Sequence, residues 1–193
     1  EHEMDNGVTL RQNLRNSEVD ADLEFSGIYA AGTGFGRYWG HYLENSENFS
    51  VDTYAEGHFS TGAFDHTVVA GFDYTQSSYD AYYGGVGYVS AADTDAVDQP
   101  YSNGQEMYQY GVYVHDQLSS GPWTMFLSGR YDWVDMTTFD ANQNGTDTSH
   151  NGFSGRVGLS YAFNTDLSVY ANVSSSFVPT TGLVYDDSTD PNS

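Results

Sequence analysis

The sequence predicts an all-β fold: an antiparallel, up-and-down transmembrane β-barrel, present here as about seven strands of a larger barrel. Three observations predict it. Apolar and polar residues alternate with a period of two through seven separate runs, which places them on opposite faces of extended strands. The links between the runs are alternately short and long, as the periplasmic turns and extracellular loops of membrane barrels are. The composition has 17 Tyr and 21 Gly, which suits many amphipathic strands better than helices. No stretch approaches the 18 or so consecutive apolar residues of a membrane helix, a test that does not apply to a barrel.

The pattern is clearest in Met107–Trp133. Tyr108, Tyr110, Val112, Val114 and Leu118 alternate with Gln109, Gly111, Tyr113, His115 and Gln117. After the turn Ser119-Ser120-Gly121-Pro122, Trp123, Met125, Leu127, Gly129, Tyr131 and Trp133 alternate with Thr124, Phe126, Ser128, Arg130 and Asp132. Each run matches the roughly 9–11 residues that a tilted strand needs to cross a bilayer. Aromatics stand at both ends of the apolar faces, as in the girdles of outer-membrane barrels.

Taken in order, Asp5-Asn6-Gly7 is a turn signal that leads into Val8–Ser17, where Val8, Leu10 and Leu14 oppose Thr9, Arg11, Asn13 and Arg15. Residues 20–45 are Gly-rich and are expected to form a long loop. In Asn48–Phe59, Phe49, Val51, Ala55 and Phe59 oppose Ser50, Asp52, Tyr54, Glu56 and His58. A turn at residues 60–63 precedes His66–Tyr79, with Val68, Ala70, Phe72 and Tyr74 opposite Thr67, Gly71, Asp73 and Thr75. Residues 80–105 read as a second long loop and 138–151 as a third. Phe153–Phe163 and Leu167–Ser176 are the last strands, joined by the short turn 164–166, and the tail from Phe177 is polar.

The formal charge is −22, from 27 acidic residues and 5 basic ones, all arginine. This leaves no basic patch for nucleic acid. The lack of cysteine excludes disulfides and thiolate metal sites. Arg11, Arg15, Arg130 and Arg156 fall on polar strand faces with Asp52, Glu56, Asp73 and Asp132, as a polar barrel lumen with a network of paired charges requires. The pattern alone also allows a soluble antiparallel sandwich with one solvated face.

Several segments narrow this choice. TLRQNLR (9–15), NFSVDT (48–53), HTVVAGFDY (66–74), GVYVHDQ (111–117), SGRYDW (128–133) and FSGRVGLSYAF…LSVYANVSSSFVP (153–179) resemble TonB-dependent siderophore receptors, with the best match in the ferrichrome/hydroxamate subgroup. The resemblance implies a barrel of about 22 strands in the bacterial outer membrane, with a separate plug domain in its lumen. It implies uptake of a ferric siderophore, as ligand rather than cofactor, with energy from the inner-membrane TonB complex acting through the plug. On this reading residues 1–193 are an interior fragment of the barrel domain, and the plug, the TonB box and the terminal strands lie outside it. Glu1 follows no leader-like segment, in keeping with a processed chain or a fragment. The two open edges of such a sheet are not tolerated in lipid, so the fragment alone should neither close nor transport.

In the subgroup, loop and wall aromatics contact the siderophore. Alignment of SGIYAAG (26–32) places Tyr29 on a ligand-contacting tyrosine, with Ala31 where a second aromatic is expected. Alignment of SYDAYYGG (78–85) places Tyr83 on another, with Tyr82 beside it. Such rings present broad amphipathic surfaces to a bulky chelate, and they serve equally as girdle aromatics.

Other motifs carry less. Asp140-Ala-Asn142-Gln-Asn144-Gly145 opens like an EF-hand loop, but Asn151 stands where the bidentate Glu belongs, so a turn-rich loop is the better account. The six histidines have no metal-site spacing, and no serine lies in a nucleophile-elbow context, so no metal site and no enzyme is expected. The alternatives are a soluble Tyr-rich β-sandwich binding module and another outer-membrane barrel, a pore or a phospholipase.

Overall fold

The computed structural model describes residues 1–5, 7–32, 34–87 and 100–179. Among them lies one eight-stranded antiparallel sheet in which each strand pairs with its neighbours in sequence. The strands are β1 (His2–Glu3), β2 (Thr9–Ala31), β3 (Gly34–Thr61), β4 (Phe64–Gly87), β5 (Tyr101–Ser120), β6 (Trp123–Phe139), β7 (Gly145–Ala162) and β8 (Ser168–Ser175). β2 to β8 are the seven runs read from the sequence. β1 is a two-residue addition that pairs with Thr9 and Leu10.

Turn chemistry sets this order. At one end, β3–β4 and β5–β6 are joined by the two-residue links Gly62-Ala63 and Gly121-Pro122, with Gly62 and Gly121 at φ 64° and 56°. A side chain is strained at such angles, and tight hairpins depend on glycine there. At the same end β7 passes to β8 through a turn in which Asn164 Oδ1 accepts the backbone N–H of Asp166 (2.8 Å) and Leu167 (2.9 Å).

Directly paired residues share a side of the sheet. On the outer side lie Leu10 with Ala55, Leu14 with Val51, Phe72 with Val112, and Leu127 with Val157. Arg11 with Tyr54, Asn13 with Asp52, and Tyr113 with Arg130 lie on the inner side. Two rows of aromatics bound the apolar part of the outer side. The lower row has Phe59 against His66 at 4.8 Å, Trp123 against Tyr161 at 4.5 Å, and Tyr161 against Phe163 at 4.8 Å. The upper row has Phe49 near Tyr74 (6.4 Å), Tyr74 near Tyr110 (5.1 Å) and Tyr131 near Trp133 (4.7 Å). From Trp123 to Trp133 is about 33 Å of strand. At the tilt usual for membrane barrels this is about 24 Å of height, close to the 25 Å apolar band of that class.

The strands run well beyond the band, and this corrects three expectations. Residues 20–45 are not a loop: β2 and β3 stay in register from Thr9↔Glu56 up to Ala31↔Gly34. The loop expected at 80–105 shrinks, since β4 reaches Gly87 and β5 starts at Tyr101, while residues 88–99 lie outside the described residues. The loop expected at 138–151 is the five residues 140–144. The reason is an inversion of polarity. Above the upper row the outer side turns acidic, with Glu18, Asp20, Asp22 and Glu24 on β2 and Glu106 and Asp135 on β5 and β6. The inner side turns apolar, with Ala21, Leu23 and Phe25 on β2 and Met107, Val134 and Met136 on β5 and β6. Alternation persists, but its phase switches where the outer surface stops meeting an apolar phase.

The buried apolar residues Ala81, Val134 and Met136 all lie on the inner side. Leu14, Phe72, Val112, Val114 and Val157 stay exposed on the outer side, with no second sheet over them among the described residues. That is the arrangement of a barrel wall and contradicts the soluble sandwich, whose apolar faces must converge.

Candidate functional site

Two constellations occupy the inner side, one above the other. The upper is a ladder of aromatic rings on β2, β3 and β4. Phe25 stacks on Tyr83 with centroids 6.4 Å apart and 24° between planes, and meets Tyr38 edge-on at 6.2 Å. Tyr38 in turn lies 6.4 Å from Tyr29. Three rungs share one construction. Tyr29, Phe25 and Tyr38 pair directly with Gly36, Gly40 and Gly27, and each ring fills the space that a Cβ on its glycine would take. The Gly-rich sequence is therefore the seat of the rings, and each ring covers backbone that glycine leaves bare.

The ladder descends to Tyr42 and Glu44, consecutive inner-side positions of β3. The Tyr42 hydroxyl donates to Glu44 Oε2 at 2.5 Å and the Ser46 hydroxyl to Oε1 at 3.1 Å. The bond to the Glu44 carboxylate, with some burial, pushes the Tyr42 phenol up to about 12, so it stays a neutral donor. Below opens a cavity of about 680 Å³, lined by Ser17, Tyr42, Glu44, Asn48, Tyr79 and Gln105 among others.

The expected ligand residues divide. Tyr29 and Tyr83 belong to the ladder, on the same side of the sheet. Tyr82 does not: as Tyr83's neighbour in an extended strand it faces the outer side, where it pairs with Leu43 and meets Tyr101 edge-on at 5.6 Å. Phe25, Tyr38, Tyr42 and Glu44 are not legible as candidates while the Gly-rich run 20–45 reads as a loop. The alternation Ala21-Asp-Leu23-Glu-Phe25-Ser-Gly27 is the signal that could have found them.

The lower constellation is the charge network. Arg130 forks between two carboxylates. Its Nη1 and Nη2 hold Asp73, the latter at 2.9 Å, and Nε reaches both Asp132 oxygens at 2.9 Å. Gln109 also donates to Asp132 at 2.9 Å, and the guanidinium lies 5.8 Å from the centre of the Tyr113 ring. The Tyr113 hydroxyl donates to Asp52 at 2.6 Å, and Asn13 donates to the other Asp52 oxygen at 3.3 Å. Nearer the short turns, Arg11 pairs with Glu56 at 2.9 Å and with Glu1 at 3.4 Å, and His58 lies 3.3 Å from Glu56. The structure thus pairs Arg11 with Glu56 and Arg130 with Asp132, while Asp52 accepts from the neutral donors Tyr113 and Asn13 and joins no ion pair among the described residues. Arg15 and Arg156 share the inner side but have no ion-pair partner among the described residues.

On the outer side one histidine–carboxylate contact lies at the lower edge of the apolar band. His66 Nδ1 lies 2.8 Å from Asp116 Oδ2, His66 Nε2 lies 2.7 Å from the Thr61 hydroxyl, and Asp116 Oδ1 is buried without a partner. Among the described residues no three His, Asp or Glu side chains group as a metal site. Asp140 is committed to its own turn. It accepts the backbone N–H of Asn142 (2.8 Å) and Asn144 (2.9 Å), and the Asn144 amide at 3.0 Å, which together hold its carboxyl below the usual range.

A family model described as TonB dependent receptor-like, beta-barrel matches residues 1–193. The ferrioxamine B receptor of Salmonella typhimurium is 32% identical over 93% of this chain. The ferrichrome outer membrane transporter/phage receptor of Escherichia coli K12 is 29% identical over 93%. The chain spans 27% and 29% of those two relatives. Among solved structures, the ferric-catecholate import receptor Fiu of E. coli superposes over 92% of this chain and 34% of its own, with a TM-score of 0.76 at 15% identity. The ferripyoverdine receptor of Pseudomonas aeruginosa does so over 89% and 25%, with a TM-score of 0.69 at 20% identity.

Proposed function

The chain belongs to the TonB-dependent receptor β-barrel family, and on that premise we propose that it forms part of the wall of an outer-membrane receptor that takes up a ferric siderophore of the hydroxamate type. The family is one of receptors and transporters, not enzymes. The observation that carries the ligand class is the ladder Tyr29–Tyr38–Phe25–Tyr83. A hydroxamate chelate of ferric iron is bulky and has no net charge at its metal centre. It is well matched by aromatic faces, which supply area at little entropic cost without requiring counter-charges. A catecholate chelate is polyanionic and calls for cations. Among the described residues the inner side of β2, β3 and β4 above Asn48 carries none. Two curated relatives, named for ferrioxamine B and for ferrichrome, agree with this class.

The remaining partners follow from placement. The outer side between the aromatic rows contacts lipid. The inner charge network faces a plug domain, to which Arg15 and Arg156 offer uncommitted guanidiniums. Energy enters from the TonB complex through that plug. Tyr29 and Tyr83 contact ligand together with Phe25 and Tyr38. Tyr82, on the other side of the strand, does not contact the same ligand face.

The test is titration of ferric trihydroxamates against the receptor polypeptide that carries this segment. Phe25→Ala and Tyr83→Ala should each weaken binding roughly tenfold or more, as loss of a hot-spot aromatic does. Unchanged affinity in both variants contradicts the assignment.

A further inference from the structure

We propose that Glu44 makes this wall selective for chelates that carry a pendant positive charge, holding an ammonium group of the siderophore at the foot of the aromatic ladder. The inference rests on the siderophore reading above and adds a charge preference to it. Glu44 stands one inner-side position of β3 below Tyr42, and Tyr42 pairs with Tyr83 across β3 and β4. An iron shell seated on Phe25 and Tyr83 therefore has Glu44 beneath it, on the rim of the open cavity.

Each oxygen of the carboxylate accepts one hydrogen bond, from Tyr42 or from Ser46. A carboxylate has about four acceptor sites, so two remain for a donor from the cavity, and an ammonium brings three N–H groups. The Tyr42 and Ser46 hydroxyls fix the carboxylate in place, so little ordering cost is left to binding. Tyr42 and Tyr83 hold the adjacent inner-side positions above Glu44 on β3 and β4, and aromatic faces favour a cation by their quadrupoles.

The distribution of charge points the same way. The chain's five basic residues are all arginine. Arg11, Arg15, Arg130 and Arg156 lie at or below the level of the upper aromatic row, and Arg37, paired with Ile28, faces the outer side. On the described inner side around the ladder Glu44 therefore stands without a competing cation. An anionic substituent on the ligand would meet a fixed negative charge there, and an ammonium would meet a ready acceptor.

The experiment compares a linear ferric trihydroxamate ending in a primary ammonium with its N-acetyl derivative, which has the same iron shell and no charge. The readout is the ratio of their dissociation constants for the receptor polypeptide containing this segment and for its Glu44→Gln variant, with circular dichroism confirming that both are folded. The expected ratio favours the ammonium form by roughly tenfold, as a charge-assisted hydrogen bond does, declines with added salt, and falls towards one in E44Q. Equal affinities in the parent protein overturn the inference and leave the siderophore reading standing, as does a preference that survives E44Q. Failure of both chelates to bind overturns both.

Discussion

Arg130 is the part of the inner wall whose loss should be felt most, and its effect can be worked from the geometry. Its guanidinium serves two carboxylates at once, on a side chain 28% exposed, with Asp73 at 19% and Asp132 at 6%. Arg130→Met keeps most of the volume and removes the charge. Two desolvated carboxylates then stand next to each other with Gln109 as the remaining donor to Asp132. Breaking a fully buried pair in this way costs about 3–5 kcal/mol. The partial exposure of Asp73 and the donor left on Asp132 lower that to about 2–3 kcal/mol. The assay is urea unfolding of the receptor in lipid vesicles, followed by tryptophan fluorescence. It should be run on Arg130→Met, on Asp73→Asn/Asp132→Asn, and on the triple variant. The triple variant should recover more than half of the loss, because replacing all partners removes the unpaired charge along with the pair. A loss below about 0.5 kcal/mol in Arg130→Met, or strict additivity in the triple variant, would refute the reasoning. Gly111 offers an independent check. A Cβ there would overlap the Arg130 guanidinium, so Gly111→Ala should reproduce part of the same loss.

Three further outcomes are expected. Gly40→Val puts a branched side chain where the Phe25 ring lies, so ferric trihydroxamate affinity should fall roughly tenfold while the strand remains paired; unchanged affinity would separate the ladder from binding. His66→Ala leaves Asp116 unpaired at the lower edge of the apolar band. It should cost about 1–3 kcal/mol in the same unfolding assay, with recovery in His66→Ala/Asp116→Asn; no recovery would mean the pair is not what the histidine supplies. The Asp140 carboxyl is held down by bonds from Asn144 and Asn142. Its contribution is therefore present above the ordinary carboxylate pKa and lost as pH falls through the depressed one. Proteolysis at residues 140–144 should rise in that acid range with an acid-active protease, and Asp140→Asn should flatten the profile.

The strands within the apolar band were legible because two rules agree there. Val112, Val114 and Leu118 alternate with Tyr113, His115 and Gln117, and an apolar outer phase opposes a polar lumen. Above the band the second rule reverses while the first continues. Asp20-Ala21-Asp22-Leu23-Glu24-Phe25 alternates as strictly as any strand in the chain, but with the acids outside and the apolar residues inside. A reading that expects one polarity throughout takes such a stretch for a loop, particularly when glycines follow. Those glycines are strand residues whose missing side chains admit the facing rings. The inner arginines could be placed on a polar face from spacing alone. That Arg130 joins Asp73 to Asp132, while Arg15 and Arg156 pair with none of the described acids, depends on register across β4 to β7, which no single strand reveals. Tyr82 and Tyr83 show the same limit from the other side: adjacent in sequence, they face opposite sides of the wall.

The most direct test of the account is iron uptake by cells. Cells that lack their own hydroxamate receptors would express the full receptor polypeptide containing this segment and be given a radiolabelled ferric trihydroxamate, with and without a working TonB complex. The account predicts saturable uptake that requires TonB, is abolished by Phe25→Ala/Tyr83→Ala, and is not inhibited by an excess of ferric catecholate. Uptake that proceeds without TonB, or that the catecholate inhibits as effectively as the hydroxamate itself, would contradict it.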